Sequence, residues 1–229
     1  MSGIGLIGRR RAIASSPTES IDLFKDYIQD EMILCLDGLR QGDISQGWLE
    51  QVHGAYFVNY GAEFTGKGWR FNGSAYMDGE SSMKNYGFAQ VSRSIEFVVS
   101  FDQKSKSSPV LIGKQNGMSF GVTSDGYYAI GNAEMMIRRI TPSESLTICT
   151  GFAVSNLIIQ TALENLFPLD VSNNMDGVWS PASAVRLGAT STKSSYLNGT
   201  IYAIRIHNRL LTEEEFKYNQ KIDKIRFGL

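Results

Sequence analysis

Short segments of alternating apolar and polar residues, separated by turn dipeptides, are the feature that most limits the fold of this chain. The segments 94–101, 118–122 and 146–154 place apolar side chains at every second position. A period of two predicts β-strands with one buried face. Strands recur from residue 94 to residue 160 at roughly the 8–12-residue spacing of a sandwich, and no helical stretch interrupts them. The sequence therefore predicts an all-β fold, an antiparallel two-sheet jelly-roll sandwich with short helices at both ends.

Asp-Gly and Asn-Gly dipeptides mark the predicted turns. They are Asp37-Gly38, Asn72-Gly73, Asp78-Gly79, Asn116-Gly117, Asp125-Gly126 and Asp176-Gly177. Asp and Asn tolerate the left-handed backbone of a turn, and glycine adopts it without steric cost. A further dipeptide, Asn198-Gly199, is of the type that closes tight hairpins. We therefore expect a turn there, followed by a strand over residues 200–207.

The end of the chain predicts a strand followed by a capped helix. In the strand, we expect Tyr202, Ile204 and Ile206 on one face and Ile201, Ala203 and Arg205 on the other. Thr212 then begins the helix, with Glu215 at the spacing of a capping box. Leu211 and Phe216 have the spacing of the hydrophobic staple that accompanies such a box. A strand that leads into a capped helix at the end of a chain is suited to closing a sheet.

The two ends of the domain resemble a known family. The string G-x-I-x-x-x-R-I-x-N-R-x-L-T-x-E-E, from Gly199 to Glu215, resembles the closing strand of laminin-G-like or concanavalin-A-like domains. The segment from Asp26 to Gly38 resembles their opening strand, while His207 stands where the family tends to carry Tyr. The resemblance implies that the strands at 32–36 and 200–207 lie side by side. Such modules are frequent in proteins of gut bacteria and their phages.

Composition indicates an ordinary soluble globule. The chain has 229 residues, 42% hydrophobic content and a net charge of −1, which is enough for one large all-β domain. Cys35 and Cys149 lie in apolar runs and are interpreted as small core residues. No stretch reaches the ~20 apolar residues of a membrane span, so membrane insertion is not expected. The apolar run after Arg9, Arg10 and Arg11 is too short for a secretion signal, and synthesis in a host cytoplasm is expected.

The N-terminal segment is predicted to be an anchoring arm. Residues 1–16 have no periodicity, and a short helix is expected from Pro17. We therefore divide the chain into an arm with its helix, residues 1–30, and a jelly-roll domain, residues 31–229. The expected partner-binding residues of the arm are Ile4, Leu6, Ile7, Arg9, Arg10 and Arg11. Three arginines in a nearly neutral chain are a weak nucleic-acid signal, so acidic groups of a protein partner are expected instead.

Acidic residues do not form the pattern of a glycosidase. Glycosidases of this fold carry acidic residues at alternate positions on one concave strand, and retaining chemistry needs carboxylates ~5–5.5 Å apart. Here Glu96 stands alone on its strand, while Glu213, Glu214 and Glu215 belong to the predicted helix. Asp78 and Glu80 are expected to flank a turn. We therefore predict a protein without enzymatic activity and without catalytic residues.

Two other catalytic patterns are also interpreted as chance matches. The segment from Gly61 to Gly68 contains G-x-x-x-x-G-K, but Gly68 stands where a phosphate-binding loop needs Ser or Thr. His53 and His207 have no cysteine, histidine or carboxylate at metal-ligand spacing. Both histidines are therefore interpreted as structural or exposed.

A long aperiodic stretch over residues 163–181 is the predicted ligand site. Loops of this length in compact domains are usually functional or disordered. The candidate ligand-binding residues are Asp170, Asn173, Asn174, Asp176 and Trp179, with Tyr127 and Tyr128 on the same rim. An aromatic ring beside amides and carboxylates suits a glycan, although packing is the more common role of aromatic residues. No cofactor is expected. The resemblance implies Ca²⁺ at such a rim as the alternative to simple turn-forming roles for the Asn and Asp residues.

These observations favour a structural or interaction protein. The first hypothesis is a phage virion component, assembled in the host cytoplasm, whose arm binds other virion proteins. Its jelly roll is then displayed for contact with proteins or with a cell-surface glycan, and a homo-oligomer is expected. The alternative is a bacterial carbohydrate-binding module. An enzyme of the same fold ranks third.

Overall fold

Antiparallel strands and one C-terminal α-helix are the main elements of the computed structural model, which describes residues 23–81, 93–102, 110–112, 120–122, 128–130, 145–155, 158–161, 185–189, 193 and 196–228. The elements in chain order are a 3₁₀ turn (Leu23–Asp26), β1 (Met32–Asp37), β2 (Trp48–Leu49), β3 (Tyr56–Tyr60), β4 (Glu63–Phe64), β5 (Trp69–Asn72), β6 (Tyr76–Gly79), β7 (Arg93–Asp102), β8 (Val110–Ile112), β9 (Phe120–Val122), β10 (Tyr128–Ile130), β11 (Ser145–Ser155), β12 (Ile158–Thr161), β13 (Arg186–Leu187), β14 (Asn198–His207) and α1 (Glu213–Phe227).

The strands form a large sheet, a small sheet and a three-stranded strip. The large sheet has the order β12-β11-β7-β14-β5-β4, with β1 also paired to β14. The small sheet has the order β13-β6-β3-β2, and the strip has the order β10-β9-β8. Every strand pair among the described residues is antiparallel. The predicted antiparallel jelly-roll sandwich is therefore confirmed.

The first and last strands of the domain lie side by side. β1 pairs with the second half of β14, with Leu34 opposite Ile206 and Leu36 opposite Ile204. Along its other edge, β14 pairs with β7 over most of its length. This arrangement confirms the predicted contact between the two ends of the domain, because one strand joins β1, β5 and β7 in a single sheet.

Two predicted turns are wrong because neighbouring strands extend their ladders through them. Gly199 lies within β14, paired with Phe71 on one side and Phe101 on the other. Asp78 and Gly79 both lie within β6. By contrast, Asn72-Gly73 does form a turn, in which Gly73 has φ +86° and the Asn72 side chain accepts the backbone N–H of Ser74. The predicted turns at 116–117, 125–126 and 176–177 lie outside the described residues.

A β-bulge at Tyr202 changes the predicted faces of β14. Ile201 pairs with Val99 while Ala203 pairs with Val98, so one extra residue is inserted at this point. Adjacent residues of β7 point to opposite faces, and Ile201 therefore shares a face with Ile204 rather than with Ala203. Tyr202 turns to the other face, where its ring centroid lies 5.8 Å from that of Phe227 in α1.

The two sheets pack face to face around a core of aromatic and aliphatic residues. Trp48 of the small sheet and Trp69 of the large sheet have ring centroids 6.5 Å apart. Both indole N–H groups have partners: Trp69 donates to Gln41 Oε1 at 2.5 Å and Trp48 donates to the Asp37 carbonyl at 3.3 Å. The fully buried side chains on these inner faces include Leu34, Leu36, Phe57, Phe71, Met77, Phe97, Leu187, Ile201, Ile204 and Ile206. Buried Cys35 is also found inside the domain, where burial raises the pKa of its thiol.

Helix α1 covers the outer face of the large sheet, and its predicted start is confirmed. Thr212 is the N-cap, and its hydroxyl and the Glu215 carboxylate form the reciprocal hydrogen bonds of a capping box. Leu211 and Phe216 are buried together in the predicted staple. A hydrogen bond from Arg209 lowers the pKa of Glu215 to about 2, which keeps its charge at the positive end of the helix dipole.

Residues directly before β1 pack against α1. The Tyr27 side chain is 2% exposed, and its hydroxyl donates to Asp223 Oδ1 at 2.6 Å. The Ile28 backbone N–H donates to Asn219 Oδ1 at 3.0 Å. The contacts of the domain thus extend to Tyr27, a few residues before the division drawn at residue 30. Residues 1–22 lie outside the described residues, and the described part of the segment that follows contains only the 3₁₀ turn Leu23–Asp26 before β1. The division at residue 30 stays a prediction.

Candidate functional site

The outer face of the small sheet presents aromatic and charged side chains to solvent. The alternation in β3 and β6 buries Phe57 and Met77 against the large sheet, which turns the intervening residues outwards. The register of the strands places these outward-facing residues side by side. Tyr60 lies opposite Tyr76, and Asp78 lies opposite both Val58 and Arg186. Lys193 reaches the same surface from the segment after β13. We call the group Tyr60, Tyr76, Asp78, Arg186 and Lys193 the tyrosine face.

Two stacked tyrosines form the centre of the tyrosine face. The rings of Tyr60 and Tyr76 have centroids 4.6 Å apart and planes inclined by 12°. Tyr60 nevertheless keeps 47% of its surface exposed. Stacking on Tyr76 orders the Tyr60 side chain without burying it, since cross-strand aromatic pairs stabilise each other. The result is an ordered, solvent-facing aromatic ring.

A lysine lies at the hydroxyl end of the Tyr76 ring. Lys193 Nζ is 4.3 Å from the ring centroid and 2.7 Å from the Tyr76 hydroxyl oxygen. These two distances place the ammonium next to the hydroxyl group. The hydrogen bond to Tyr76 raises the pKa of Lys193. The exposed ammonium therefore carries its charge at neutral pH and is held in place by a cation–π contact.

An ion pair between Arg186 and Asp78 lies next to the stacked tyrosines. Arg186 donates from Nε to Asp78 Oδ1 at 2.5 Å and from Nη2 to Oδ2 at 3.0 Å. Its guanidinium carbon also lies 5.0 Å from the Tyr76 centroid. The hydrogen bonds to Asp78 raise the pKa of Arg186. This bidentate pairing fixes both side chains and offsets their charges, so Lys193 supplies the excess positive charge of the tyrosine face.

Asp78 lies within β6 and Glu80 directly follows that strand. The prediction that the two residues flank a turn is therefore wrong. Both Asp78 oxygens accept hydrogen bonds from Arg186. Glu80 Oε1 accepts the backbone N–H of Tyr56 at 3.1 Å. A carboxyl that acts as a general acid must present a proton towards its substrate. Asp78 is not arranged to do so, because a guanidinium occupies both of its oxygens.

A second polar cluster lies buried between α1 and the large sheet. Arg205 of β14 donates from two nitrogens to Asp223 of α1, at 2.8 and 2.5 Å, and from Nε to Glu96 of β7 at 3.0 Å. These three side chains are 1%, 2% and 3% exposed respectively. The guanidinium also lies 4.1 Å from the Tyr27 ring centroid. This cluster therefore ties α1, β7, β14 and the segment before β1 together.

Glu96 is a structural anchor rather than a catalytic acid. Asn219 donates to both of its oxygens, at 3.0 and 3.1 Å. Burial alone would raise the pKa of Glu96, but Arg205 and His207 outweigh it and hold that pKa below the usual glutamate value. The stability that its charge contributes is therefore present above the unfolded-state pKa of glutamate and is lost as the pH falls through the lowered value.

The two histidines also have structural partners. His207 Nε2 lies 3.3 Å from Glu96 Oε2, and Nδ1 lies 3.2 Å from the Asp30 carbonyl oxygen. His53 Nε2 lies 3.2 Å from the Ile33 carbonyl oxygen. Both ring nitrogens of His207 therefore face an oxygen of a neighbouring element, which fits a structural role.

The G-x-x-x-x-G-K match is part of a β-hairpin. Its residues form β4 and a turn, closed by the Thr65 N–H to Gly68 carbonyl bond of 2.9 Å, that leads directly into β5. Lys67 Nζ donates to the Phe227 carbonyl at the end of α1, at 3.0 Å. The segment therefore leads from strand to strand, whereas a phosphate-binding loop leads into a helix.

The ligand and arm residues predicted from the sequence lie mainly outside the described residues. This holds for the loop candidates Asp170, Asn173, Asn174, Asp176 and Trp179, for Tyr127, and for the six arm residues. Tyr128 begins β10. These assignments, including the Ca²⁺ alternative, stay predictions. Within the described ranges, no three His, Cys, Asp or Glu side chains are grouped as a metal site would need. In the same ranges, neither helix has the length and apolar character of a membrane-crossing helix.

The tyrosine face was not predicted from the sequence, although part of its pattern is present there. Tyr56, Val58 and Tyr60 alternate with buried Phe57, which is the period of a strand with one exposed aromatic face. Because a turn was predicted at Asp78-Gly79, the strand β6, which contains Tyr76, was not predicted. No local pattern indicated Lys193, because its position depends on the pairing of β13 with β6.

Comparison with known proteins supports the fold. No family model and no curated protein sequence matches the chain. Among solved structures, it is similar to a mutant of Trypanosoma rangeli sialidase displaying trans-sialidase activity, with 13% identity and a TM-score of 0.64 over 87% of this chain and 34% of that one. A receptor binding domain matches with 12% identity and a TM-score of 0.56 over 87% and 52% of the two chains. The binding domain of botulinum neurotoxin DC, in complex with rat synaptotagmin II, matches with 10% identity and a TM-score of 0.53 over 83% and 51%.

These similarities concern the fold alone, because every identity is low. The fold is an antiparallel jelly-roll sandwich. The chain spans about a third of the length of the sialidase chains it matches and about half of the two binding domains. Some of these neighbours are enzymes and others are binding domains, so the shared architecture is compatible with either activity.

Proposed function

We propose that this protein is a non-enzymatic phage virion component whose laminin-G-like jelly roll binds a glycan through the tyrosine face. The observation that carries the binding proposal is the Tyr60 ring, ordered by stacking on Tyr76 yet 47% exposed. Binding sites combine apolar and aromatic surface with a few fixed polar groups. The tyrosine face has both, since an aromatic ring lies next to the Asp78–Arg186 pair and Lys193.

The contacts of the face favour binding over hydrolysis. Hydrolysis of a glycosidic bond needs one protonated carboxyl and one carboxylate that reach the same sugar. Asp78 is held in a bidentate ion pair, and Glu80 accepts a backbone N–H from the neighbouring strand. Fixed ion pairs of this kind orient a ligand through hydrogen bonds and shape, without consuming a proton.

The solved structures with this fold support a binding role by analogy. They include a receptor binding domain and a neurotoxin binding domain, together with sialidases, one of them in complex with sialic acid. Such an analogy is weaker than the geometry of the site. It motivates a search among glycans before other ligands.

Replacing Tyr60 by alanine should weaken glycan binding by about two- to tenfold, because the loss of an aromatic stacking contact costs ~0.5–1.5 kcal/mol. The measurement is binding of the full chain to a glycan array, followed by titration of the best ligand. Tyr218→Ala is the matched control, since Tyr218 lies on α1 on the opposite side of the sandwich and is 48% exposed. We expect Tyr218→Ala to bind as the unsubstituted protein does.

Equal binding by the two variants would contradict the assignment of the glycan site to the tyrosine face. Binding of no glycan by the unsubstituted protein would contradict the glycan proposal as a whole. Thermal unfolding of both variants keeps these outcomes distinct from loss of the fold.

The virion assignment rests on the family resemblance of the two domain ends and on the predicted arm.

Deletion of residues 1–22 should leave the thermal unfolding temperature nearly unchanged, because the packing contacts of the described domain begin at Tyr27. The same deletion should remove the protein from purified phage particles, as measured by mass spectrometry. Normal incorporation of the deleted form would place the anchor elsewhere. Absence of the intact protein from particles would favour the bacterial carbohydrate-binding module instead.

A further inference from the structure

We propose that the ligand of the tyrosine face is an acidic oligosaccharide whose anionic group binds Lys193. This inference rests on the proposed glycan-binding function and specifies its ligand. Lys193 Nζ lies 2.7 Å from the Tyr76 hydroxyl oxygen and 4.3 Å from the centroid of that ring. An ammonium has three N–H donors, and the bond to Tyr76 uses one of them.

The charges of the tyrosine face favour an anion at the end where Tyr76 and Lys193 lie. Asp78 offsets the charge of Arg186 through two hydrogen bonds, so the Tyr76 end has a net positive charge from Lys193. The negatively charged Glu80 lies four residues after Tyr76. At the rise of an extended chain, this separation is about 13 Å. A ligand with one acidic end is therefore oriented with that end at Lys193.

The order of the side chains sets a minimum length for the ligand. The Tyr60 and Tyr76 rings are stacked with centroids 4.6 Å apart, and Lys193 Nζ lies at the Tyr76 hydroxyl group. A ligand that stacks on the open side of Tyr60 and reaches the ammonium must therefore extend past the Tyr60 ring and across the distance between the two rings. A single sugar unit lying flat on Tyr60 cannot do both. The geometry thus requires at least two linked units, one neutral unit on Tyr60 and one acidic unit at Lys193.

A polyanion such as nucleic acid fits this face less well. Such ligands are bound by several cations that each neutralise a phosphate, whereas the tyrosine face has a single cation in excess. One positive charge beside aromatic rings matches an oligosaccharide with widely spaced carboxylate or sulfate groups.

The test is a panel of immobilised oligosaccharides in matched pairs. It contains uronate oligomers and their methyl esters, sialylated glycans and their asialo forms, and sulfated glycans and their desulfated forms. We expect the full-length protein to bind at least one acidic member about tenfold more tightly than its neutral partner. Lys193→Gln should remove this preference for the acidic member, because glutamine keeps a donor for Tyr76 but carries no charge.

Lys221→Gln is the matched control, because Lys221 is an exposed lysine on α1. It should preserve the preference for the acidic member. Equal binding of acidic and neutral partners, or a preference that survives Lys193→Gln, would overturn the inference while leaving the glycan-binding proposal intact. Binding of single acidic sugars as tightly as of their oligomers would also overturn it. Loss of all glycan binding in the unsubstituted protein contradicts the underlying function instead, and the two failures are therefore separable.

Discussion

Replacing Arg205 by leucine should lower the free energy of unfolding by about 3–5 kcal/mol, which is the usual cost of breaking a buried ion pair. The substitution leaves Glu96 and Asp223 without their cation, and both carboxylates are almost fully buried. Urea denaturation followed by tryptophan fluorescence measures the change, since Trp48 and Trp69 lie in the core. Adding Asp223→Asn to this variant should recover part of the loss, because one unpaired charge is removed.

Arg70→Leu is the matched control for this prediction. Arg70 pairs with Asp102 on the same sheet, but the two side chains are 34% and 36% exposed. Exposed pairs contribute ~0–1 kcal/mol, so the control should unfold nearly as the unsubstituted protein does. Similar losses in the two leucine variants would mean that the buried cluster does not hold α1 on the sheet.

Replacing Gly188 by alanine should destabilise the domain by about 2–5 kcal/mol. Gly188 has φ +76°, and a Cβ there would lie 2.2 Å from Cδ1 of the fully buried Phe71. The left-handed backbone costs ~1–2 kcal/mol for a residue with a side chain, and overpacking a core costs ~1–3 kcal/mol more. The midpoint of urea denaturation measures the sum.

Gly54→Ala separates the two contributions. Gly54 has φ +75°, nearly the same as Gly188, but a Cβ there would have no atom within 4 Å. This variant should therefore lose only the ~1–2 kcal/mol of backbone strain. A Gly188→Ala variant that is no less stable than Gly54→Ala would show that Phe71 moves aside at little cost, and that the two sheets are less tightly packed than their contacts indicate.

The parts of the fold that depend on local chemistry could be predicted from the sequence. Thr212 and Glu215 satisfy each other's backbone groups within one turn, so their spacing alone indicates the start of α1. The pairing of β1 with β14 followed from motifs at both ends. Asn198-Gly199 was misjudged because a turn dipeptide is also accommodated in a strand when two neighbours, β5 and β7, supply its hydrogen bonds.

The candidate site depends on contacts that no local pattern specifies. Tyr60, Tyr76 and Lys193 come from three separate segments, and only the register of β3, β6 and β13 brings them together. Likewise, Glu96 appeared as a lone acid on its strand, yet Arg205 and Asn219, more than 100 residues away, surround it. The role of each residue depends on contacts between segments that are far apart in the sequence. The alternation of apolar and polar residues indicates only which face of its strand a residue occupies.

The most direct test of the tyrosine face is a ¹H–¹⁵N correlation titration of the protein with the oligosaccharide that binds best on the array. The account predicts that the amides with the largest shifts lie in β3, β6 and β13 and at Lys193, with saturation at one ligand per chain. Amides of α1, on the opposite side of the sandwich, should not move. Shifts confined to residues 163–181, or to α1, would contradict a glycan site built around Tyr60 and Tyr76.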